Sequence, residues 1–406
     1  MIMAPSAFEK RIKRRIIGPE HDFFVVCIPG LEGSCERELK HLFPDNPTIE
    51  AIPGGVMFRA RLHDCYLANL YLRCASRILM RITTFRAERF SEFERQAQQV
   101  DWELYLPRSM TPDCRVSVQK CRLYHSSALA QRMNDTLSTR FDTPMGPDPE
   151  ANKVSVRKSV PQTVYVRGEH DRFTLSLDTS GVHLYQRGLK QAAVAAPIRE
   201  TIAAAMLAWA GFMPDDVLLD PMCGSGTFSL EAGMIKSHLP AGFLRGFAFE
   251  SWPAFKPAQF NHLKKKAAEH FVSAEHPSIF ASDIDRDAVQ RLKKNITGAH
   301  ALAKISFARH FSVIQNDFFS LVPEHFTATP GVITLNPPYD KRIKAGTSPR
   351  KFYEHLGKKL KSDFRHWRVA TVIPSKSLAK SLGIPLTLKP IVHGGLDLYV
   401  GHGTIR

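Results

Sequence analysis

Apolar positions along this chain recur with two periods, and the changes from one period to the other mark out the elements. Phe23 to Ile28 is a short apolar run that predicts a strand. From Gly30 to Phe43 the spacing becomes helical, with Leu31, Cys35, Leu39 and Leu42 on one face. Ile49 to Leu62 reads as a hairpin around Pro53-Gly54-Gly55, and Tyr66 to Ser76 as another helix. This β-α-β-β-α order predicts a small α+β, ferredoxin-like unit over residues 21–76. The alternation continues through 77–180. Strands are expected at Ile78 to Phe85, Arg115 to Cys121, Val154 to Val156, Val164 to Val166 and Phe173 to Leu177. Helices are expected at Phe90 to Tyr105 and Ser127 to Phe141. Residues 1–20 read as a basic, poorly ordered arm, and 181–194 as a linker carrying one strand, Gly181 to Gln191.

The pattern beyond residue 194 is of a different kind. Ala195 to Trp209 is an Ala-rich helix with Pro197 near its start, a favoured early position. Val217 to Leu219 is a short buried strand ending on Asp220; a glycine-rich turn, Pro221 to Gly226, leads into a helix from Thr227 to His238. Ile279 to Ser282 ends on Asp283 and precedes a helix, Asp287 to Ala299. Phe311 to Gln315 comes just before Asp317, and an apolar run, Gly331 to Leu335, precedes Asn336. Strand–helix alternation of this kind predicts a parallel α/β sheet over 195–406. At 406 residues the chain is long enough for two or three domains.

Composition narrows the function classes. Hydrophobic residues make up 44% of the chain, enough for ordinary buried cores. No run approaches 18 apolar residues, and the basic stretch from Lys10 to Arg15 leads to no apolar signal core, so a cytoplasmic protein without a membrane segment is expected. Seven cysteines occur with no C-x-x-C pair, which suggests neither a disulfide framework nor a metal site. The net charge of +16 points to a polyanionic partner, and nucleic acid is favoured over an anionic membrane because no basic amphipathic helix stands out. Within the N-terminal half, Arg115, Lys120, Arg122, Arg132, Arg140, Lys153, Arg157 and Lys158 make a basic module.

The glycine turn carries the candidate chemistry. Gly224 and Gly226 let the backbone turn sharply and approach a ligand, and the following helix presents unpaired N–H groups to it. A dinucleotide fingerprint wants a third glycine where Ser229 stands, and a P-loop wants a lysine before Thr227. Both are disfavoured. What distinguishes the turn from an ordinary βα loop is a second motif, Asn336-Pro337-Pro338-Tyr339.

Asp-Pro-Met-Cys-Gly-Ser-Gly-Thr (220–227) followed by Asn-Pro-Pro-Tyr (336–339) resembles the class I methyltransferases that use S-adenosyl-L-methionine to modify exocyclic amino groups. Over about Phe23 to Asp397 the chain is similar to bacterial 23S rRNA guanine-N2 methyltransferases that carry an N-terminal THUMP domain. The resemblance implies a Rossmann-like catalytic domain preceded by a ferredoxin-like unit and a THUMP region that grips structured RNA. It implies that Asp283 meets the ribose hydroxyls and that Ile284 packs beside the adenine. Asp317 would lie near the adenine amino group. Asp220, Pro221, Cys223, Gly224, Ser225, Gly226 and Thr227 would hold the methionine end, with Thr201 of the Pro197–Thr201 segment also at the cofactor. Asp220 and Asp283 lie 283 − 220 = 63 residues apart, against about 20 in a dinucleotide enzyme, which implies an insertion holding the aromatic stretch Phe243 to Phe260.

The second motif supplies the acceptor site. An exocyclic amine is a poor nucleophile because its lone pair is conjugated into the ring. The Asn336 side-chain carbonyl and the Pro337 carbonyl can accept its N–H groups and draw the nitrogen toward a tetrahedral shape, and Tyr339 offers a ring for an extruded base. Pro338 stiffens the loop. The family often continues Gly-x-Arg; here Asp340-Lys341-Arg342 keeps the arginine and replaces the glycine. Adenine-N6 methylation of RNA or DNA fits the same motif. A catalytically inactive RNA-binding assembly protein is the alternative of another class. Fused family members carry a second methyltransferase domain, for which a chain ending at Arg406 leaves no room.

Overall fold

The computed structural model describes residues 6–107, 110, 112–142, 160–189, 198–303, 306–338 and 348–406. Val154 to Val156, Lys153, Arg157, Lys158, Pro197, Tyr339 and Asp340 to Arg342 lie outside them.

The described part of the expected arm is ordered. Ser6 caps a helix, α1 (Ala7–Ile12), whose hydroxyl accepts from the Glu9 N–H at 3.1 Å, and a π-helical turn follows at Lys13–Ile17. Ile12 and Ile16, four residues apart, are both buried, so the segment is held by an apolar stripe. Arg11 pairs with Asp101 at 3.2 Å and Glu103 at 3.0 Å, and Arg15 also pairs with Asp101.

The N-terminal half is one seven-stranded sheet. Its strands are β1 (Glu20–Cys27), β2 (Glu50–Ile52), β3 (Gly55–Arg61), β4 (Ala75–Arg86), β5 (Asp113–Gln119), β6 (Thr163–Glu169) and β7 (Arg172–Asp178). They are ordered β2-β3-β1-β4-β7-β6-β5. β4 pairs with β1 on one side and β7 on the other, so the ferredoxin-like unit and the region after it share a continuous sheet. Helices α2 (Glu32–Leu42), α3 (Leu62–Tyr71), α4 (Phe90–Gln98) and α5 (Ser126–Asp142) belong to the same half. α3 begins earlier than the sequence reading placed it, and α4 stops at Gln98, with a 3₁₀ turn at Trp102–Leu104.

The second half is Rossmann-like. Its strands β8 (Leu218–Asp220), β9 (Ile279–Asp283), β10 (Phe311–Gln315), β11 (Val332–Leu335), β12 (Arg368–Ile373), β13 (Thr387–His393) and β14 (Leu396–Thr404) run in the order β10-β9-β8-β11-β12-β14-β13. The first five are mutually parallel, and β14 is antiparallel to both β12 and β13. Helices α6 (Glu200–Trp209), α7 (Thr227–Lys236), α8 (Pro257–Ala268), α9 (Arg286–Ala303), α10 (Pro349–Asp363) and α11 (Lys376–Leu382) surround it. No described helix is long and apolar enough to cross a membrane.

The insertion between β8 and β9 is a joint between the halves. Phe249 packs 4.4 Å from the Tyr66 ring, with Phe255 and Phe260 at 5.8 and 5.9 Å, all measured between centroids. The aromatic stretch is therefore buried packing. The segment from Gly181 to Leu189 forms turns and bends rather than the expected strand, and its order comes from arginines. Buried Arg187 donates to Glu231 of α7 at 2.8 Å, to the Leu184 carbonyl at 2.7 Å and to the Arg73 carbonyl at 2.6 Å. Removing either partner of such a pair would strand a buried charge, a loss of about 3–5 kcal/mol.

Candidate active site

Parallel strands put their carboxyl ends on one edge, and the register shows which residues share it. Asp220 lies one strand over from Ala281, Gln315 beside Asp283, and Ile333 beside Leu219. The segments after β8, β9, β10 and β11 therefore leave from the same edge, where ligands of open α/β sheets bind. Asp220, Asp283, Asp317 and Asn336 all sit at these ends, as the strand pattern predicts.

The glycine turn is held from three directions. Cys223 donates its N–H to the Ser282 carbonyl at 3.0 Å, Gly224 donates to the Asp283 carboxylate at 2.8 Å, and Gly226 donates to the Cys223 carbonyl at 2.7 Å. Gly226 has φ +83° and precedes the first residue of α7; a Cβ there would stand 2.1 Å from the Leu292 side chain, so the position requires glycine. A Cβ on Gly224 would meet nothing within 4 Å, so its side faces open space beside the turn. Asn295 of α9 donates its amide to the Ser225 carbonyl at 3.2 Å. Leu292 and Asn295 were not singled out from the sequence. The signal available was only that both lie on the buried face of α9.

Asp220 is fully buried. One carboxylate oxygen accepts the Ser229 N–H at 3.2 Å and its hydroxyl at 2.6 Å, while the other is buried with no partner among the described residues. Ser229 thus occupies the position of the missing third glycine and orients the acid. Burial, opposed by the Ser229 hydrogen bonds and reinforced by the Asp283 charge, pushes the Asp220 carboxyl up to about 7. The hydroxyls of Ser225 and Thr201 are likewise buried with no partner among the described residues. Thr201 lies in the first turn of α6, fully buried. Pro221 and Thr227 are buried as well, and burial pushes the Cys223 thiol well up, so it stays protonated and is no nucleophile.

Asp283 is half-buried and uses one oxygen for Gly224 and the other for the Asp285 N–H at 3.0 Å. Each oxygen keeps a further lone pair for a hydroxyl donor. Its neighbour Ile284 is 59% exposed, an apolar surface at the edge left largely open by the described residues. Asp317 is exposed and caps a 3₁₀ turn by accepting the Phe319 N–H at 3.1 Å. Asn336 is half-buried, Pro337 buried and Pro338 half-buried directly after β11. The edge thus has buried polar atoms on Asp220, Ser225 and Thr201 with no partner among the described residues, a carboxylate with spare acceptors at Asp283, and an apolar face at Ile284. That sequence of chemistries fits the ammonium, ribose and adenine of S-adenosyl-L-methionine. Among the described residues no group of three or more His, Cys, Asp or Glu side chains could hold a metal ion.

The basic module is less free than its composition suggests. Arg115 pairs with Asp113 at 2.9 Å, Arg140 with Glu103 at 3.1 Å, Arg122 with Glu88 and Arg132 with Glu94. The Arg115, Arg122 and Arg132 pairs are largely exposed, worth roughly 0–1 kcal/mol each, so a phosphate can compete for them; Glu103 is buried, so Arg140 is held as part of the fold.

Comparison with known proteins bears on the family and the fold. Residues 187–384 match the UPF0020 family model, described as RMKL-like, methyltransferase domain, and residues 22–79 match the RlmL ferredoxin-like domain. The chain is 30% identical over 381 residues to a Synechocystis sp. protein named "Putative RNA methyltransferase slr0064", covering 92% of this chain and 94% of that one. It is 30% identical over 403 residues to the ribosomal RNA large subunit methyltransferase K/L of Acinetobacter baylyi, covering 95% of this chain and 53% of the relative. The chain spans about half the length of the K/L relatives it matches. The crystal structure of SMU.472 complexed with SAH superposes with a TM-score of 0.80 at 24% identity, over 96% of this chain and 99% of that one. A predicted N6-adenine-specific DNA methylase from Listeria monocytogenes gives 0.78 at 25% identity, over 94% and 96%.

Proposed function

The chain belongs to the RMKL-like methyltransferase family, and from that premise we propose that it methylates the exocyclic N2 of a guanine in large-subunit rRNA. S-adenosyl-L-methionine is the methyl donor. The observation that carries the reading is the shared edge on which the Gly224–Asp283 contact and the Asn336-Pro337-Pro338 turn both lie. The K/L relatives, named for large-subunit rRNA, supply the substrate class.

Each residue then has a task. Asp220 accepts the ammonium of the methionine end on its free oxygen, with Thr201 and Ser225 completing the polar lining. Asp283 accepts the ribose hydroxyls while fixing Gly224, and Ile284 covers the adenine, whose amino group meets Asp317. Cofactor, when bound, would supply an electrophilic methyl. The Asn336 carboxamide oxygen and Pro337 carbonyl accept the N–H groups of the target amine and aim its lone pair. The two prolines hold those acceptors, since each fixes its own φ and restrains the residue before it. Tyr339 stacks on the extruded base. Rate comes mainly from alignment, because no strong base is required. The N-terminal half grips the RNA, and the enzyme works in the cytoplasm.

Nucleoside mass spectrometry of protein-free rRNA treated with the purified enzyme and labelled cofactor tests this. Label in N2-methylguanosine is expected. Label in N6-methyladenosine would select the second reading, which the Listeria neighbour favours. Cofactor binding with no transfer to any RNA would leave only a binding protein.

A further inference from the structure

The described surface presents one strongly exposed aromatic ring among cations, well removed in sequence from the catalytic motifs. Tyr124 is 67% exposed, and the preceding Leu123 is 6% exposed, so the chain is anchored while the tyrosine stands clear. The His125 ring lies 4.1 Å from it, tilted 41°. This pair sits immediately before α5 at one corner of the N-terminal sheet. There the strand ends Arg86, Arg172, Glu169 and Gln119 lie side by side in register.

The corner is built to hold its shape. Lys120, His170 and Asp171 all take left-handed backbone, with φ of 52°, 49° and 60°. Such conformations in non-glycine residues persist only where the surroundings impose them. Here the His170 N–H donates to the Gln119 carbonyl at 3.2 Å, the Ala87 N–H to the Asp171 carbonyl at 3.0 Å, and the Arg122 N–H to the Asp171 carboxylate at 2.6 Å. Lys120, Arg122 and Arg172 are exposed. Arg122 shares its charge with Glu88, and Arg86 also pairs with Glu88 at 2.9 Å. Among the described residues Lys120 and Arg172 have no carboxylate partner within 4 Å, so the corner carries net positive charge around an open aromatic face.

Stacking rings interleaved with cations recognise unpaired nucleotides: the ring takes a base and the cations take the flanking phosphates. We infer that the Tyr124–His125 corner is a second RNA-contact site, which stacks an unpaired base while Lys120, Arg122 and Arg172 hold the flanking phosphates. The inference rests on the RNA-modifying reading above and adds to it that the substrate offers a single-stranded nucleotide to the N-terminal half. A protein partner is disfavoured because the patch is one ring in a cationic field rather than an apolar surface.

The test uses the full chain with a single-stranded oligoribonucleotide carrying 2-aminopurine and a duplex of equal length. Tyr124→Ala should weaken single-strand binding about 5- to 150-fold, the range expected for one stacked base, and abolish quenching of the fluorophore. Tyr124→Phe should bind as wild type, since a face and not a hydroxyl is used. Duplex binding should be unchanged in both. Lys120→Ala should lower the salt slope of single-strand binding by about one. Unchanged single-strand binding by Tyr124→Ala overturns the inference, as does an equal loss on duplex. If wild type methylates rRNA in either outcome, the proposed function survives and only this site is lost. If wild type binds neither RNA, both fail together.

Discussion

A buried aspartate with a carboxyl pushed up to about 7 makes cofactor affinity depend on pH in a calculable way. In the free protein the Asp220 oxygen that faces no protein donor is buried, and burial favours the protonated acid. The ammonium of the methionine end favours the carboxylate. Binding must then expel the proton from the fraction that carries it. Below pH 7 affinity should fall toward tenfold per pH unit, reaching about 100-fold at pH 5 relative to pH 8 if the bound carboxyl titrates below 5. The cofactor's own α-amino group titrates near 8, so it stays charged between pH 5 and 7, where the slope is read. Asp220→Asn is the control: the Asn carbonyl can still accept from Ser229, whose hydroxyl lies 2.6 Å from the present oxygen. That variant should bind about 10- to 150-fold more weakly at pH 8, the scale of a lost charged hydrogen bond of about 1.5–3 kcal/mol, with no slope between pH 5 and 7. Calorimetry in two buffers of different ionisation enthalpy reads both affinity and protons released. A flat wild-type profile, or the same slope in Asp220→Asn, would refute the assignment of the methionine end to Asp220. The folded cofactor-free protein is linked to the same proton. Its carboxyl lies above the unfolded value of about 3.9, so this group's stabilising contribution is complete below pH 4 and is lost as pH rises through 7.

Other outcomes follow from the same geometry. Asn336→Ala should slow single-turnover methyl transfer by about 10²–10³ while cofactor affinity holds, because one preorganised acceptor is lost; an unchanged rate would remove this loop from the chemistry. Asp283→Ala should weaken cofactor binding by roughly 1.5–3 kcal/mol, since it removes both the proposed ribose acceptor and the Gly224 anchor, and isothermal titration checks this directly. Gly226→Ala forces a Cβ to 2.1 Å from Leu292 at a left-handed φ, and should lower stability by about 1–3 kcal/mol in denaturant melts. Affinity of the full chain for rRNA fragments should fall steeply between 50 and 200 mM salt, as phosphate contacts release counterions; a flat salt response would contradict a phosphate-gripping surface.

By itself the sequence determined the local grammar of this protein. Apolar runs ending on Asp220, Asp283 and Leu335 place the strand ends, because a parallel strand buried on both faces must be continuously apolar. Gly226 and the two prolines announce turns because their backbones leave few alternatives. The pairing of the two motifs was enough to name the chemistry, and the net charge to name a polyanionic partner. Tertiary structure decided what each polar group faces. Lys10 to Arg15 look like a free basic arm, yet Ile12 and Ile16 are buried, and Arg11 and Arg15 find Asp101 and Glu103 some 86 to 92 residues away. The arginines of the N-terminal half look available, yet Arg122, Arg132 and Arg140 meet carboxylates brought in from elsewhere in that half. The turns after Gly181 show no periodicity, because their carbonyls are satisfied by guanidinium groups: Arg187 from within the segment and Arg245 from 62 to 65 residues away. The reason is common to all of these. Periodicity and turn chemistry act over a few residues, whereas the charge state of Asp220, the partner of an arginine and the exposure of Tyr124 depend on groups distant in the chain, whose approach is fixed only when the sheets and helices pack.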